Sequence, residues 1–134
     1  HASSLSRSVY AALAAQVGIT GEAYRLFIES AEIDFGAKAD NDTGIHAASL
    51  GGTWQATVCG FGGFRVREGA PAFDPHLPDR WKKLSFRLKW GGDTIEVSVT
   101  PKTIRLRTDG GKLSVFVGGE QREIGRKARR FRTG

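Results

Sequence analysis

LSFRLKWGGDTIEVSVT, residues 84–100, decides how the chain is read. Leu84, Phe86, Leu88 and Trp90 alternate with Ser85, Arg87 and Lys89. One face is therefore apolar and the other polar, the period of two that a half-buried strand imposes. Gly91, Gly92 and Asp93 supply turn chemistry, and the return segment sets Ile95, Val97 and Val99 inward. The same signature extends on both sides: FRVRE at 64–68 alternates, and TIRLRT at 103–108 leads through Asp109–Gly110–Gly111 into LSVFV at 113–117. Short alternating strands broken by glycine turns predict a small antiparallel β-sandwich over residues 61–118.

Residues 1–60 carry a different period. Leu5, Val9, Ala12, Leu13 and Gln16/Val17 fall on one helical stripe, with Ser3 or Ser4 as cap and Gly18 as stop. A second helix starts near Thr20 and buries Ala23, Phe27 and Ala31 beside Tyr24 and Ile28. The short Gly18–Ile19–Thr20 link makes the two an antiparallel pair. After a loop ending in Asp42–Thr43, a third helix is expected over 43–61. Its apolar stripe is Ala47, Leu50, Trp54, Val58 and Phe61, and its small polar stripe is His46, Ser49, Thr53 and Thr57. Gly51 and Gly52 lie mid-helix, where each costs about 1 kcal/mol against alanine, so close backbone packing is expected there. Three such helices leave apolar faces in need of a cover, and the expectation is the C-terminal piece of a larger protein.

The totals set bounds. At 134 residues the chain holds one sizeable core. The single Cys59 excludes an internal disulfide and a cysteine metal cluster, and fits a reducing compartment. No apolar run approaches the roughly 20 residues of a membrane helix, and no secretory signal is visible, so a cytoplasmic location without membrane contact is expected. The net charge is +6, and Arg126, Lys127, Arg129, Arg130 and Arg132 supply five of it with no acid among the last ten residues. Residues 119–134 read as a basic tail, and its last ten residues as a frayed and solvated end. With no interleaved aromatics or nucleic-acid motif, nucleic acid is not the expected partner; salt-dependent DNA binding lost on deleting 125–134 would say otherwise.

DNDTGIHAASLGGTWQ, residues 40–55, is the candidate site. A helix entrance with free N–H groups from about Gly44 to Ala47, beside the His46 imidazole and the Ser49 hydroxyl, can hold an anion. The first-turn serines Ser3 and Ser4 beside His1 repeat the theme. The bland reading is a surface or capping histidine, with Ser and Gly serving helix packing. Asp40 and Asp42 read as loop and cap residues, His76 as a loop residue between prolines, and Trp81 and Trp90 as sandwich core. No P-loop, HExxH or dinucleotide fingerprint is present, and no metal site is expected.

Three segments in order, HASSLS, then AEIDF…DTGIHAASLGGTWQATVCGFGGFRV, then FDPHLPDRWKKLSFRLKW, resemble the C-terminal end of glycoside hydrolase family 65. The resemblance runs from His1 to about residue 118 and leaves the basic tail uncovered. It implies an α+β fold: the last helices of an (α/α)6 barrel over 1–60, incomplete here, followed by the sandwich over 61–118. It also implies the function of that family, which comprises inverting phosphorylases of α-glucosides such as maltose, trehalose, kojibiose and nigerose, and some hydrolases. Inorganic phosphate is then a substrate, with no cofactor, and the partners are an α-linked glucose disaccharide and the remainder of the barrel; a homodimer of the full-length enzyme is compatible. The resemblance puts Ser3, Ser4, Gly44, His46 and Ser49 at the phosphate. It puts no catalytic residue in this chain, because the general-acid glutamate of the family lies upstream, so the chain alone is expected to be inactive. A hydrolytic member of the family and a non-catalytic carbohydrate- or partner-binding module are the alternatives.

Overall fold

The computed structural model describes residues 6–33 and 46–133. Three helices precede eight strands: α1 Ser6–Gln16, α2 Thr20–Ala31, α3 Ala47–Gln55, then β1 Phe64–Arg67, β2 Ala70–Phe73, β3 Leu84–Trp90, β4 Asp93–Thr100, β5 Thr103–Thr108, β6 Leu113–Val117, β7 Glu120–Ile124 and β8 Arg129–Arg132. The class is α+β. Helix α3 does not run regularly to Phe61, as its stripe suggested; it widens into a π-helical segment over Ala56–Phe61.

The strands form two four-stranded sheets, β1-β2-β6-β7 and β3-β4-β5-β8. The second is antiparallel throughout, and its hairpin registers Phe86 with Val97 and Leu88 with Ile95, as the alternation of 84–100 required. The first sheet departs from the expected all-antiparallel pattern: β2 and β6 pair in parallel, Ala72 with Phe116 and Phe73 with Val117. Phe73, Leu88, Ile95, Val97, Val99, Ile104, Leu106, Val115, Val117 and Ile124 fill the space between the sheets. Removal of this apolar surface from water drives the two sheets together.

The end of the chain is structured. Residues 119–134, set apart in the sequence as a basic tail, contain β7 and β8 as the edge strands of the two sheets. Ile124 of β7 is buried in the sandwich core and Phe131 of β8 packs against it. The frayed end expected there is therefore paired backbone. Arginines hide these strands in the sequence because each contributes one inward apolar residue against several outward charges.

The π-helical segment joins the two halves. Val58 enters the sandwich core, while Phe61 joins Ala15 and Ala23 in a second cluster that gathers Phe27, Leu77 and Trp81. Trp81, expected in the sandwich, instead lies edge-on to Tyr24 and Phe27 at centroid distances of 6.3 and 5.4 Å and beside Phe61 at 4.9 Å. Trp90 does pack on the sandwich core. Burial of these rings ties α2 to the loop before β3, with ring pairs contributing roughly 0.5–1.5 kcal/mol each beyond area.

The burial of α1 reverses the sequence reading. Ser8, Ala11 and Ala15 face inward, while Val9, Leu13 and Val17 are more than half exposed. Small residues let α3 and its π-helical extension approach closely. A Cβ on Gly52 would stand 2.1 Å from the Ser8 hydroxyl oxygen, and one on Gly60 would stand 2.9 Å from the Ala12 Cα. The close packing expected of the glycine pair thus holds for Gly52, whereas Gly51 faces open space. Gln16 donates from Nε2 to the Cys59 carbonyl at 3.2 Å, pairing a backbone acceptor in the π-helical segment.

Candidate functional site

Contacts of Ser8 with Gly52 and of Ala12 with Gly60 progress along both elements in the same direction, so α1 and α3 run parallel. Helix α2 runs against both: the 3.7 Å ion pair of Arg7 with Glu29 sets its C-terminal end beside the start of α1. The N-terminal ends of α1 and α3 therefore open at the same end of the helical layer. Each is the positive end of a helix dipole.

At that end His46 occupies the N-cap position of α3 with φ −82° and ψ 69°. Its carbonyl accepts from the Ser49 N–H at 2.8 Å and the Leu50 N–H at 3.2 Å, closing the first turn. The imidazole is part-exposed and makes no capping bond to the helix backbone. Ser49 is different: it is fully buried, its hydroxyl lies 3.2 Å from the Ser30 hydroxyl and donates to the Ser30 carbonyl at 3.4 Å. The Ser30 hydroxyl also approaches Thr53 Oγ1 at 3.3 Å. Thr53 and Thr57 donate back to the carbonyls of Ser49 and Thr53, both at 2.9 Å. The small polar stripe of α3 is thus a hydroxyl ladder clasped against α2, and it satisfies buried polar groups that would otherwise destabilise the pair.

The complementary stripe points outward: Leu50 is 40% and Trp54 55% exposed. Val9, Tyr10 and Leu13 of α1 and Val17 just after it are exposed apolar residues of the same helical layer. Exposed apolar residues in such number on one layer are typical of a surface used for packing or binding.

Of the five residues assigned to the phosphate, the structure places His46 and Ser49 three positions apart in one helical turn. Ser3, Ser4 and Gly44 lie outside the described residues. Sequence reasoning missed Ser30, the partner that fixes Ser49; its place seven residues after buried Ala23 on α2 is the signal that could have found it. No group of His, Cys, Asp and Glu among the described residues is arranged to hold a metal ion. No helix among them is long and apolar enough to cross a membrane. Cys59 is part-buried, and desolvation pushes its thiol up, which makes it a poor nucleophile. A groove of about 490 Å³ runs along α2 from Thr20 to Glu29 and is walled on its other side by Pro78, Asp79 and Arg80. Its Arg25 is already held by Glu22 and Glu29.

Helices that end in a paired hydroxyl ladder, packed on a two-sheet sandwich through one π-helical joint, define a composite of two structural units. Both units match known ones. The profile of the glycosyl hydrolase family 65 central catalytic domain matches residues 1–55, and that of the glycosyl hydrolase family 65 C-terminal domain matches residues 64–124. The chain belongs to glycosyl hydrolase family 65. It is 41% identical over 92% of its length to a kojibiose phosphorylase of Caldanaerobacter subterraneus subsp. tengcongensis, of which it covers 16%. It is 43% identical over 78% of its length to an α,α-trehalose phosphorylase of Thermoanaerobacter brockii, of which it covers 14%. The chain thus spans about a sixth of these relatives. A solved structure described as a candidate kojibiose phosphorylase from human microbiome superposes with a TM-score of 0.88 over 98% of this chain and 18% of that one, at 24% identity, which establishes the shared fold.

Proposed function

We propose that the chain is the C-terminal segment of an inverting α-glucoside phosphorylase, supplying part of the phosphate site and the C-terminal sandwich. Relatives named as disaccharide phosphorylases support the reaction class. The observation that carries the site is the common opening of the α1 and α3 N-terminal ends, with the His46 imidazole at the α3 entrance.

In this reading the described helices are the last of an (α/α)6 barrel, and the apolar face of Val9, Leu13, Leu50 and Trp54 is covered by the rest of that barrel. Inorganic phosphate binds at the shared helix end. Backbone N–H groups of the first turns and the His46 imidazole hold its negative charge. Ser3, Ser4 and Gly44 complete the cradle. Ser49, buried against Ser30, acts by fixing the α3 entrance from behind. A phosphate oxygen then attacks the anomeric carbon from the face opposite the glycosidic bond. That bond breaks as a carboxylic acid from the upstream barrel protonates the leaving oxygen, and the configuration inverts. No residue of this chain is assigned the acid role, so the chain alone is inactive. The lone Cys59 and the metabolic reaction class support a cytoplasmic location.

The test is the product released from an α-linked glucose disaccharide by the whole enzyme that contains this segment. β-Glucose 1-phosphate, formed only when phosphate is added, is the expected product. Free glucose at the same rate with and without phosphate would replace this reading by a hydrolase.

A further inference from the structure

We propose that the outer face of the second sheet, continued around the β7/β8 edge, binds a linear phosphate polyanion. The proposal is independent of the phosphate site at the helix ends.

The face is built by register. One cross-strand row reads Ser85, Ser98, Arg105 and Arg130; the next reads Arg87, Glu96 and Arg107; a third pairs Thr100, Thr103 and Arg132. Glu96 is the one carboxylate in these rows. It is engaged by Arg107, at 2.6 Å from Nε and 3.0 Å from Nη2, and by Arg87 at 3.5 Å. The side chains of Arg105, Arg130 and Arg132 have no hydrogen-bond or ion-pair partner among the described residues. Arg105 and Arg130 are direct cross-strand partners, an arrangement that like charges disfavour. Arginine on an exposed edge strand can be explained as protection against edge pairing. That explanation covers β8 but not Arg105, which sits on the interior strand β5.

At the edge, Arg122, Arg129, Arg130 and Arg132 line a groove of about 580 Å³ in which Glu120 is the one acid. A smaller hollow of about 150 Å³ on the face is lined by Lys83, Ser85, Ser98, Arg105 and Arg107, with Glu96 as its one acid, already held by Arg107. Arg130 links the groove to the face. Guanidinium groups with interleaved serine and threonine hydroxyls are the donor set of phosphate recognition. Strand geometry spaces the charges about 5–7 Å apart, so successive phosphates of one chain can be contacted. The rows contain no outward aromatic or aliphatic side chain, the anchor on which a protein partner would depend.

The experiment measures anisotropy of a labelled oligothymidylate of about 20 nucleotides with the chain across a range of salt, with inorganic polyphosphate and poly-glutamate as competitors. Binding should weaken with a log–log salt slope of about −0.7 per phosphate contacted. Arg105→Gln with Arg130→Gln should weaken binding about tenfold and flatten the slope by about 1.4. The melting temperature should be unchanged or raised, since a like-charge pair is removed. Arg65→Gln with Lys82→Gln removes the same charge elsewhere and should change binding less than about twofold. Displacement by inorganic polyphosphate supports a site that reads phosphate chains, and the tighter of the two ligands per phosphate identifies the source. No binding at about 50 mM salt, equal displacement by poly-glutamate, failure of polyphosphate to displace, or an equal loss in the Arg65/Lys82 variant overturns the proposal.

Discussion

Gly63→Ala tests whether one backbone crossing holds the helical layer to the sandwich. Gly63 has φ +64° and lies between the π-helical segment and β1; a Cβ there would stand 2.0 Å from the Asp74 carbonyl oxygen and 2.1 Å from its carbon. Two contributions follow. A left-handed alanine costs about 1–2 kcal/mol. Relief of the overlap requires the Asp74 backbone to retreat, which breaks the 3.0 Å bond from the Asp74 N–H to the Gly63 carbonyl and strains the 3.0 Å bond from the His76 N–H to the Phe61 carbonyl. Each such bond contributes about 1 kcal/mol. The expected total is about 2–4 kcal/mol. Gly69→Ala is the internal control: Gly69 has φ +74° but open space around its Cβ position. Only the backbone term applies, about 1–2 kcal/mol. Denaturant unfolding of both variants, compared by midpoint at constant slope, separates the two terms. Costs within about 0.5 kcal/mol of each other would refute the close-approach argument.

Two further outcomes follow from the same geometry. The Arg107 guanidinium beside Glu96 holds its carboxyl below the usual glutamate range. Its contribution to folding should be complete above the ordinary carboxylate value and be lost as pH falls through the lowered midpoint. NMR titration should find that midpoint below that of an ordinary glutamate and return it upward in Arg107→Gln; an unchanged midpoint would contradict the pairing. Leu13 and Trp54 are 52% and 55% exposed, so Leu13→Lys with Trp54→Lys should change the stability of this chain by less than about 1 kcal/mol. The same pair should reduce self-association of the chain, read by light scattering, yet destabilise the whole enzyme by more than about 2 kcal/mol if the barrel covers that face.

The β half was legible because alternation and burial agree. Ile95, Val97 and Val99 point inward in both the pattern and the structure, since each strand has one wet and one dry face. The helical half was legible as helices, and the α2 face of Ala23, Tyr24 and Phe27 was legible as packed, but the face of α1 was not. The stripe of Val9, Leu13 and Val17 is the most apolar on α1, yet the partners present, α2 and the π-helical segment, require the small side chains of Ser8, Ala11 and Ala15. Hydrophobicity located a buried face in the abstract; only close approach at Gly52 and Gly60 reveals which face meets this neighbour. Strands β7 and β8 escaped because Ile124 and Phe131 are single apolar residues among charges. Of the candidate site, His46 was visible as a helix entrance. The inward turn of Ser49 depends on Ser30, nineteen residues away in sequence, a contact that no local pattern encodes.

The phosphate cradle proposed at the α1 and α3 entrances is tested most directly by the phosphate dependence of disaccharide cleavage in the whole enzyme with His46→Ala. The account expects the KM for phosphate to rise at least about tenfold, the loss of one charge-assisted hydrogen bond of about 1.5–3 kcal/mol, with the KM for the sugar little changed. An unaltered KM for phosphate in a folded variant would contradict it.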